Sequence, residues 1–105
     1  MKRWPVLGSA LFVAALFCEA ALAGQISGAI REATKPVVGL RFTVQCGMEY
    51  AHGVTDKRGR YRVIVQNTGR CRFEVPDRQA WAWVESGEIP TRQDFTLSDR
   101  RLEAR

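Results

Sequence analysis

The chain has very little of the material from which enzyme and metal sites are usually built. It holds one histidine, His52, and three cysteines among its 105 residues. No Gly-x-Ser-x-Gly sequence marks a nucleophile turn, so a Ser–His–Asp set would depend entirely on His52. A structural zinc site needs four His or Cys ligands, and only three such residues follow position 23. The sequence therefore predicts no catalytic residue, no metal and no cofactor.

Long apolar runs are also absent, except for one near the N terminus. Lys2 and Arg3 precede the run VLGSALFVAALF, which is too short for a spanning helix, and the small residues Ala21 and Ala23 follow it. This order predicts a signal peptide over residues 1–23, cleavage before Gly24, and export to the periplasm or the cell exterior. The alternative is an uncleaved N-terminal membrane anchor. After cleavage, no membrane span is expected.

Lysine is scarce, and arginine carries most of the positive charge. The net charge is +5, and it becomes +4 when two cations and one anion leave with the signal segment. A modest basic excess suits an anionic cell-surface polymer, but it equally provides solubility, which is the favoured interpretation. Salt would steeply weaken the binding of so small a basic patch to a polyanion. An exported protein also seldom meets nucleic acid, so no nucleic-acid partner is expected.

No stretch has the pattern of a long amphipathic helix. Short runs of alternating polarity recur roughly every eight to twelve positions between Gly-, Asn- and Pro-containing turns, which is typical of a sandwich or barrel. They predict one all-β domain of about seven strands over residues 24–98, followed by a polar tail, residues 99–105, that is frayed or forms a short helical turn. The predicted strands are GQISGAIRE, LRFTVQC, EYAHGVT, RYRVIVQ, CRFEV, AWAWVES and QDFTL.

The two cysteines that follow the signal segment fall on apolar strand faces. Cys46 shares a face with Phe42, and Cys71 shares one with Phe73. Both thiols then point inward, where a bridge between neighbouring or facing strands is feasible. Two cysteines in an exported chain favour a disulfide over two buried free thiols, and closing a loop of about 25 residues would contribute about 3 kcal/mol.

Two longer segments, ISGAIREATKPVVGLRFTVQC and VTDKRGRYRVIVQNTGRC, resemble the carboxypeptidase regulatory-like domain of small exported bacterial proteins. The likeness covers nearly all of residues 24–98, and Gly69, Cys71, Ser86 and QDFTL are similar to later elements of that domain. The resemblance implies a transthyretin-like (prealbumin-like) Greek-key sandwich with no catalytic role, and it does not imply one common ligand. Its signature turn, Thr-Asp-x-x-Gly-x-Tyr/Phe, is matched by Thr55, Asp56, Gly59 and Tyr61.

This turn also has a physical rationale. Asp56 is expected to accept backbone N–H groups across the turn, and Gly59 to take the left-handed conformation that closes it. Tyr61 is then the first inward residue of the next strand, with Arg60 and Arg62 facing outward.

The strand AWAWVES places Trp81 and Trp83 on one face and Ala82 and Val84 on the other. Either the rings pack in the core, or, as the resemblance implies, the small residues point inward and the rings are exposed. Two exposed rings about 7 Å apart would suit a sugar face or a protein partner.

Together these features predict a non-enzymatic periplasmic or secreted binding or accessory module that recognises a protein or an envelope polysaccharide. A structural envelope component that associates through strand edges is the alternative, and a small hydrolase is a distant one. Arg78 and Arg92 are candidates to stack on the tryptophan rings. The candidate partner surface consists of Trp81, Trp83, Arg60 and Arg62.

Overall fold

The computed structural model describes residues 24–105, so the predicted signal peptide lies outside the described residues. This part of the chain is all-β, as predicted, but it has ten strands rather than about seven, and one short 3-10 turn, Pro76–Arg78. No helix among residues 24–105 is long and apolar enough to cross a membrane. The strands are β1 Gln25–Glu32, β2 Lys35–Pro36, β3 Arg41–Cys46, β4 Glu49–Val54, β5 Arg60–Ile64, β6 Gly69–Val75, β7 Ala80–Ser86, β8 Thr91–Arg92, β9 Phe95–Ser98 and β10 Arg101–Ala104.

The strands form two sheets. In the first sheet, β1 is central: it pairs antiparallel with β2 and β5, and parallel with β8 and β9. Strand β10 pairs antiparallel with β9 at the end of this sheet. The second sheet has the order β4-β3-β6-β7, and all of its pairings are antiparallel. Strands that are adjacent in sequence therefore often lie in different sheets.

The core lies between the sheets, where aliphatic side chains surround a cluster of four aromatic rings. The ring of Phe73 lies at its centre, with centroids 4.8 Å from Phe42, 4.9 Å from Tyr61 and 4.8 Å from Phe95. These rings come from both sheets, and aromatic pairs of this kind contribute about 0.5–1.5 kcal/mol beyond area burial. The alternation read from the sequence thus directs these side chains inward.

The predicted disulfide is present. The sulfur atoms of Cys46 and Cys71 are 2.09 Å apart, the Cα atoms are 4.4 Å apart, and both residues are buried. They lie on the adjacent strands β3 and β6, one position beyond the pair Gln45–Arg72. The bridge therefore joins two neighbouring strands of the second sheet.

The prediction of a frayed or helical tail is wrong. The segment Arg101–Ala104 forms β10, and Leu102 is buried opposite Leu97. A two-residue turn with Asp99 at φ 57° reverses the chain between Ser98 and Arg101. One buried leucine among polar neighbours gives too little alternation to mark a strand, so the pattern alone does not reveal it.

Candidate functional site

The signature turn after β4 is closed by the side chain of Asp56. Its Oδ1 accepts the backbone N–H groups of Arg58 and Arg60, each at 2.9 Å. These bonds hold the pKa of the Asp56 carboxyl below its usual range, and the bond from Arg60 has the largest effect. Gly59 has φ 73° and donates its N–H to the Asp56 carbonyl at 3.0 Å. The turn has the geometry expected for these residues.

The other two signature residues connect distant segments, which the sequence did not indicate. The buried hydroxyl of Thr55 donates to the Val37 carbonyl at 2.6 Å and accepts the Leu40 N–H at 2.9 Å. The hydroxyl of Tyr61 donates to the Gln93 carbonyl at 2.5 Å. All four signature residues therefore maintain the fold.

The tryptophan pair lies on the outer face of β7. Trp81 is 43% exposed and Trp83 is 46% exposed, while Ala80 and Val84 are buried beneath them. The two rings meet edge to face, with centroids 5.1 Å apart and planes at 82°. The core alternative for these rings is therefore excluded. On the inner face of β7, Ala82 is paired directly with the buried Phe73 of β6.

Each tryptophan ring carries an arginine from the neighbouring strand. The guanidinium carbon of Arg70 lies 4.4 Å from the ring centroid of Trp83, and that of Arg72 lies 4.5 Å from the ring centroid of Trp81. In both cases the partner is the diagonal neighbour across the β6–β7 pairing. We call these four residues, Trp81, Trp83, Arg70 and Arg72, the Trp–Arg face.

The sequence prediction chose the wrong arginines for this stacking. Arg78 instead donates to both carboxylate oxygens of Glu32 and to the Asp99 carbonyl. Arg92 lies on β8 in the first sheet, with its Nε 3.4 Å from Asp94 Oδ1. The sequence does contain a signal for the correct partners. Arg72 faces outward in CRFEV, and pairing β6 with β7 as a hairpin brings it beside the tryptophans.

Arg60 and Arg62 lie away from the Trp–Arg face. Both are exposed on β5, which belongs to the first sheet, and their intervening residue Tyr61 points into the core. The outer faces of two packed sheets point in opposite directions. Trp81, Trp83, Arg60 and Arg62 therefore do not form one surface.

The rest of the outer face of the second sheet is polar at its centre and aromatic at both ends. One row of paired residues crosses all four strands in the order Tyr50, Gln45, Arg72, Trp83. Glu74 Oε2 lies 3.3 Å from the Nε of Arg72 and balances part of the positive charge. This row therefore places polar side chains between two exposed rings.

His52 lies at the β4 end of this sheet. Its Nδ1 is 3.0 Å from the hydroxyl of Thr43 on the paired strand, and both side chains are at the surface. This bond orients the imidazole on the outer face. Within the described range, no cluster of three or more His, Cys, Asp or Glu residues could hold a metal ion.

Comparison with known proteins adds no assignment. No protein-family model matches the chain, and no curated protein shows significant sequence similarity to it. The resemblance to the carboxypeptidase regulatory-like domain therefore stays a prediction from its short motifs.

Proposed function

We propose that the chain is an exported, non-enzymatic binding or accessory module that recognises a protein or a cell-envelope polymer through the Trp–Arg face. The observation that carries this proposal is the exposure of two adjacent tryptophan rings, each stacked by an arginine. Trp and Arg are the residue types most enriched among those that dominate binding energy at interfaces.

The stacked arginines also favour binding by restricting the rings. A cation–π contact at an exposed site contributes about 0.5–1 kcal/mol, and each ring has one such contact in addition to the edge-to-face contact with the other ring. A partner that docks on rings already held in place loses less side-chain entropy than one that must order them. Indole and guanidinium groups offer stacking surfaces and N–H donors, which suit sugar rings and peptide groups alike.

We assign the fold, as part of the same proposal, to the prealbumin-like Greek-key sandwiches. The support comes from the sheet orders β4-β3-β6-β7 and β5-β1-β9-β10, in which successive strands change sheets and β1 runs parallel to β9. Out-of-sequence neighbours of this kind are typical of Greek-key connections. Export is supported by the buried disulfide, since such bonds persist in oxidising compartments.

Tryptophan fluorescence tests the function directly. Apart from Trp4 in the predicted signal segment, Trp81 and Trp83 are the only tryptophans, so the emission of the exported protein reports on the Trp–Arg face. The protein is titrated separately with soluble peptidoglycan fragments, with envelope polysaccharide, and with fractions of envelope protein extracted without detergent. One of these ligands is expected to change the emission until it saturates.

The matched variants are Trp81→Ala/Trp83→Ala and Ile89→Ala. The double variant is expected to keep the fold, because both rings lie outside the core, and to lose binding in calorimetry. Ile89 is a large exposed apolar residue in the β7–β8 loop, so its removal controls for general surface hydrophobicity. Undiminished binding by the folded double variant would refute the proposed surface.

A structural role through strand edges is the second candidate. Strand β4 ends the second sheet, and its outward residues Tyr50 and Val54 are more than half exposed. An end strand has free N–H and C=O groups that can pair with another chain. Association of this kind would be unaffected by the double tryptophan variant, which separates it from the lead proposal.

A further inference from the structure

We propose that the outer face of the first sheet holds a second binding site, for a phosphate group, between the guanidinium groups of Arg62 and Arg92. This site lies on the opposite side of the sandwich from the Trp–Arg face and is independent of it.

The register of three strands creates the site. Ser27 of β1 is paired with Arg62 of antiparallel β5 on one side and with Arg92 of parallel β8 on the other. Paired residues point to the same side of a sheet, and the neighbouring Ile26 is fully buried, so all three side chains face outward. Because adjacent strands lie about 4.8 Å apart, the two arginine Cα atoms are about 10 Å apart. Two arginine side chains at this spacing can converge on one anion above the serine hydroxyl.

A third arginine and the surface shape reinforce this arrangement. Arg60, two residues before Arg62 on β5, also faces outward and is paired with Ala29. Gln25 precedes Ser27 on the same face of β1. These residues line a shallow groove in the surface, together with Arg62 and Arg92. The groove therefore combines guanidinium, hydroxyl and amide donors, and the Asp56 carboxylate lines it beside Arg60.

The charges near the groove leave a positive excess. Arg92 Nε lies 3.4 Å from Asp94 Oδ1, and Arg60 Nε lies 4.0 Å from Asp56 Oδ2. No carboxylate of residues 24–105 lies within ion-pair distance of Arg62. Exposed ion pairs are weak, and each guanidinium has five N–H donors, so both paired arginines keep donors for an incoming anion.

The strand that carries Arg92 is fixed in position by its neighbour Gln93. The Gln93 N–H donates to the Ser27 carbonyl at 2.8 Å, and its carbonyl accepts the Tyr61 hydroxyl. A Cβ atom on Gly28 would lie 2.0 Å from that carbonyl oxygen, so only glycine allows β8 to approach β1 this closely. The backbone beneath the site is thus organised before any ligand arrives, which lowers the entropic cost of binding.

Phosphate matches these donors better than a carboxylate does. Guanidinium groups bind phosphate oxygens in pairs through parallel N–H bonds, and a tetrahedral dianion presents oxygens to two such groups and to a hydroxyl together. A carboxylate has two oxygens in one plane and is satisfied by a single guanidinium.

The test is a titration of the isotope-labelled exported protein with inorganic phosphate, with the amide chemical shifts measured by NMR. Sodium chloride keeps the ionic strength constant. Saturable shifts are expected at Ser27, Arg62 and Arg92. Arg62→Gln and Arg92→Gln should each weaken binding roughly tenfold, as loss of a charge-assisted hydrogen-bonding partner does. Arg62→Lys keeps the charge but loses the planar pair of donors, and should weaken binding about threefold.

The charge-matched control is Arg100→Gln, in the exposed turn between β9 and β10, which should bind phosphate as the unmodified protein does. Thermal unfolding of each variant verifies that it is folded, as expected for exposed side chains. Dimethyl phosphate identifies the source: equal binding indicates a phosphodiester in a polymer or lipid headgroup, and weaker binding indicates a free phosphate or a monoester. Shifts that fail to saturate, or equal affinities for Arg62→Gln and Arg100→Gln, would overturn the proposal.

Discussion

The side-chain hydroxyl of Tyr61 donates a hydrogen bond to the backbone carbonyl of Gln93, 32 residues away in sequence. The ring of the same residue packs against Phe42 and Phe73 in the core. Burial and, to a lesser extent, the negative charge of Asp94 raise the pKa of Tyr61, so the hydroxyl remains a donor throughout the physiological range. One side chain therefore stabilises both the aromatic core and the link between β8 and β9.

Replacing this residue by Tyr61→Phe is expected to lower the free energy of unfolding by about 1–3 kcal/mol, because the Gln93 carbonyl loses its buried partner. Urea denaturation followed by circular dichroism measures the change. Tyr50→Phe removes the same hydroxyl from an exposed position and should have almost no effect. Equal midpoints for the two variants would show that the Tyr61 bond contributes little.

Gly59 and Gly39 provide a matched test of backbone crowding. Both have left-handed φ angles, 73° and 71°, so alanine at either position carries a conformational cost of about 1–2 kcal/mol. A Cβ atom on Gly59 would also lie 2.8 Å from the Ile30 carbonyl oxygen and from Pro36 Cβ, whereas nothing lies within 4 Å at Gly39. Thermal unfolding should therefore show a clearly larger loss for Gly59→Ala. Similar losses would mean that the segment beside Gly59 moves away at no cost.

The disulfide is expected to contribute about 3 kcal/mol, the value for a closed loop with a sequence separation of 25 residues. The variant Cys46→Ala/Cys71→Ala should lose at least this much in urea denaturation, and its midpoint should not respond to reductant. The unmodified protein should shift toward the variant when reduced. Thiols that react with an alkylating agent before reduction would contradict the bridge in the exported protein.

The ion pair between Glu32 and Arg78 should make stability depend on pH. Hydrogen bonds from Arg78 hold the pKa of Glu32 below its usual range. The folded-state pKa then lies below the unfolded one, so the stabilisation is present above the unfolded pKa and is lost as pH falls through the folded value. The melting temperature of Glu32→Gln should thus fall less than that of the unmodified protein between about pH 6 and about pH 3. Glu103→Gln removes an exposed carboxylate of β10 and is the control, expected to follow the unmodified protein.

Local patterns predicted the features that depend on neighbours in sequence. Alternation placed Phe42, Phe73 and both bridged cysteines on inward faces, and turn chemistry accounted for Asp56 and Gly59. These properties follow from the two-residue period of a strand and from the conformations open to Asp and Gly.

Features that depend on pairing between distant segments were not predicted. Strands β2 and β8 have two residues each, which is too short for any period, and they are defined only by their pairing with β1. Alternation along β7 separates Trp81 and Trp83 from Ala82 and Val84, but it does not show which of the two faces packs against the other sheet. The alignment of Arg62 and Arg92 on either side of Ser27 requires two registers, and both join residues far apart in sequence.

The central position of β1 affects the order in which the domain can fold. The N–H of Ala29 donates to the carboxylate of Asp94, 65 residues later, and β1 has β8 and β9 as parallel neighbours. While the chain is being synthesised or translocated, the edge of β1 that pairs with β8 and β9 remains open until almost the whole domain has emerged. Contacts of such long sequence separation slow folding and leave strand edges open to association. A chaperone that prevents such association would therefore need to protect β1 throughout this interval.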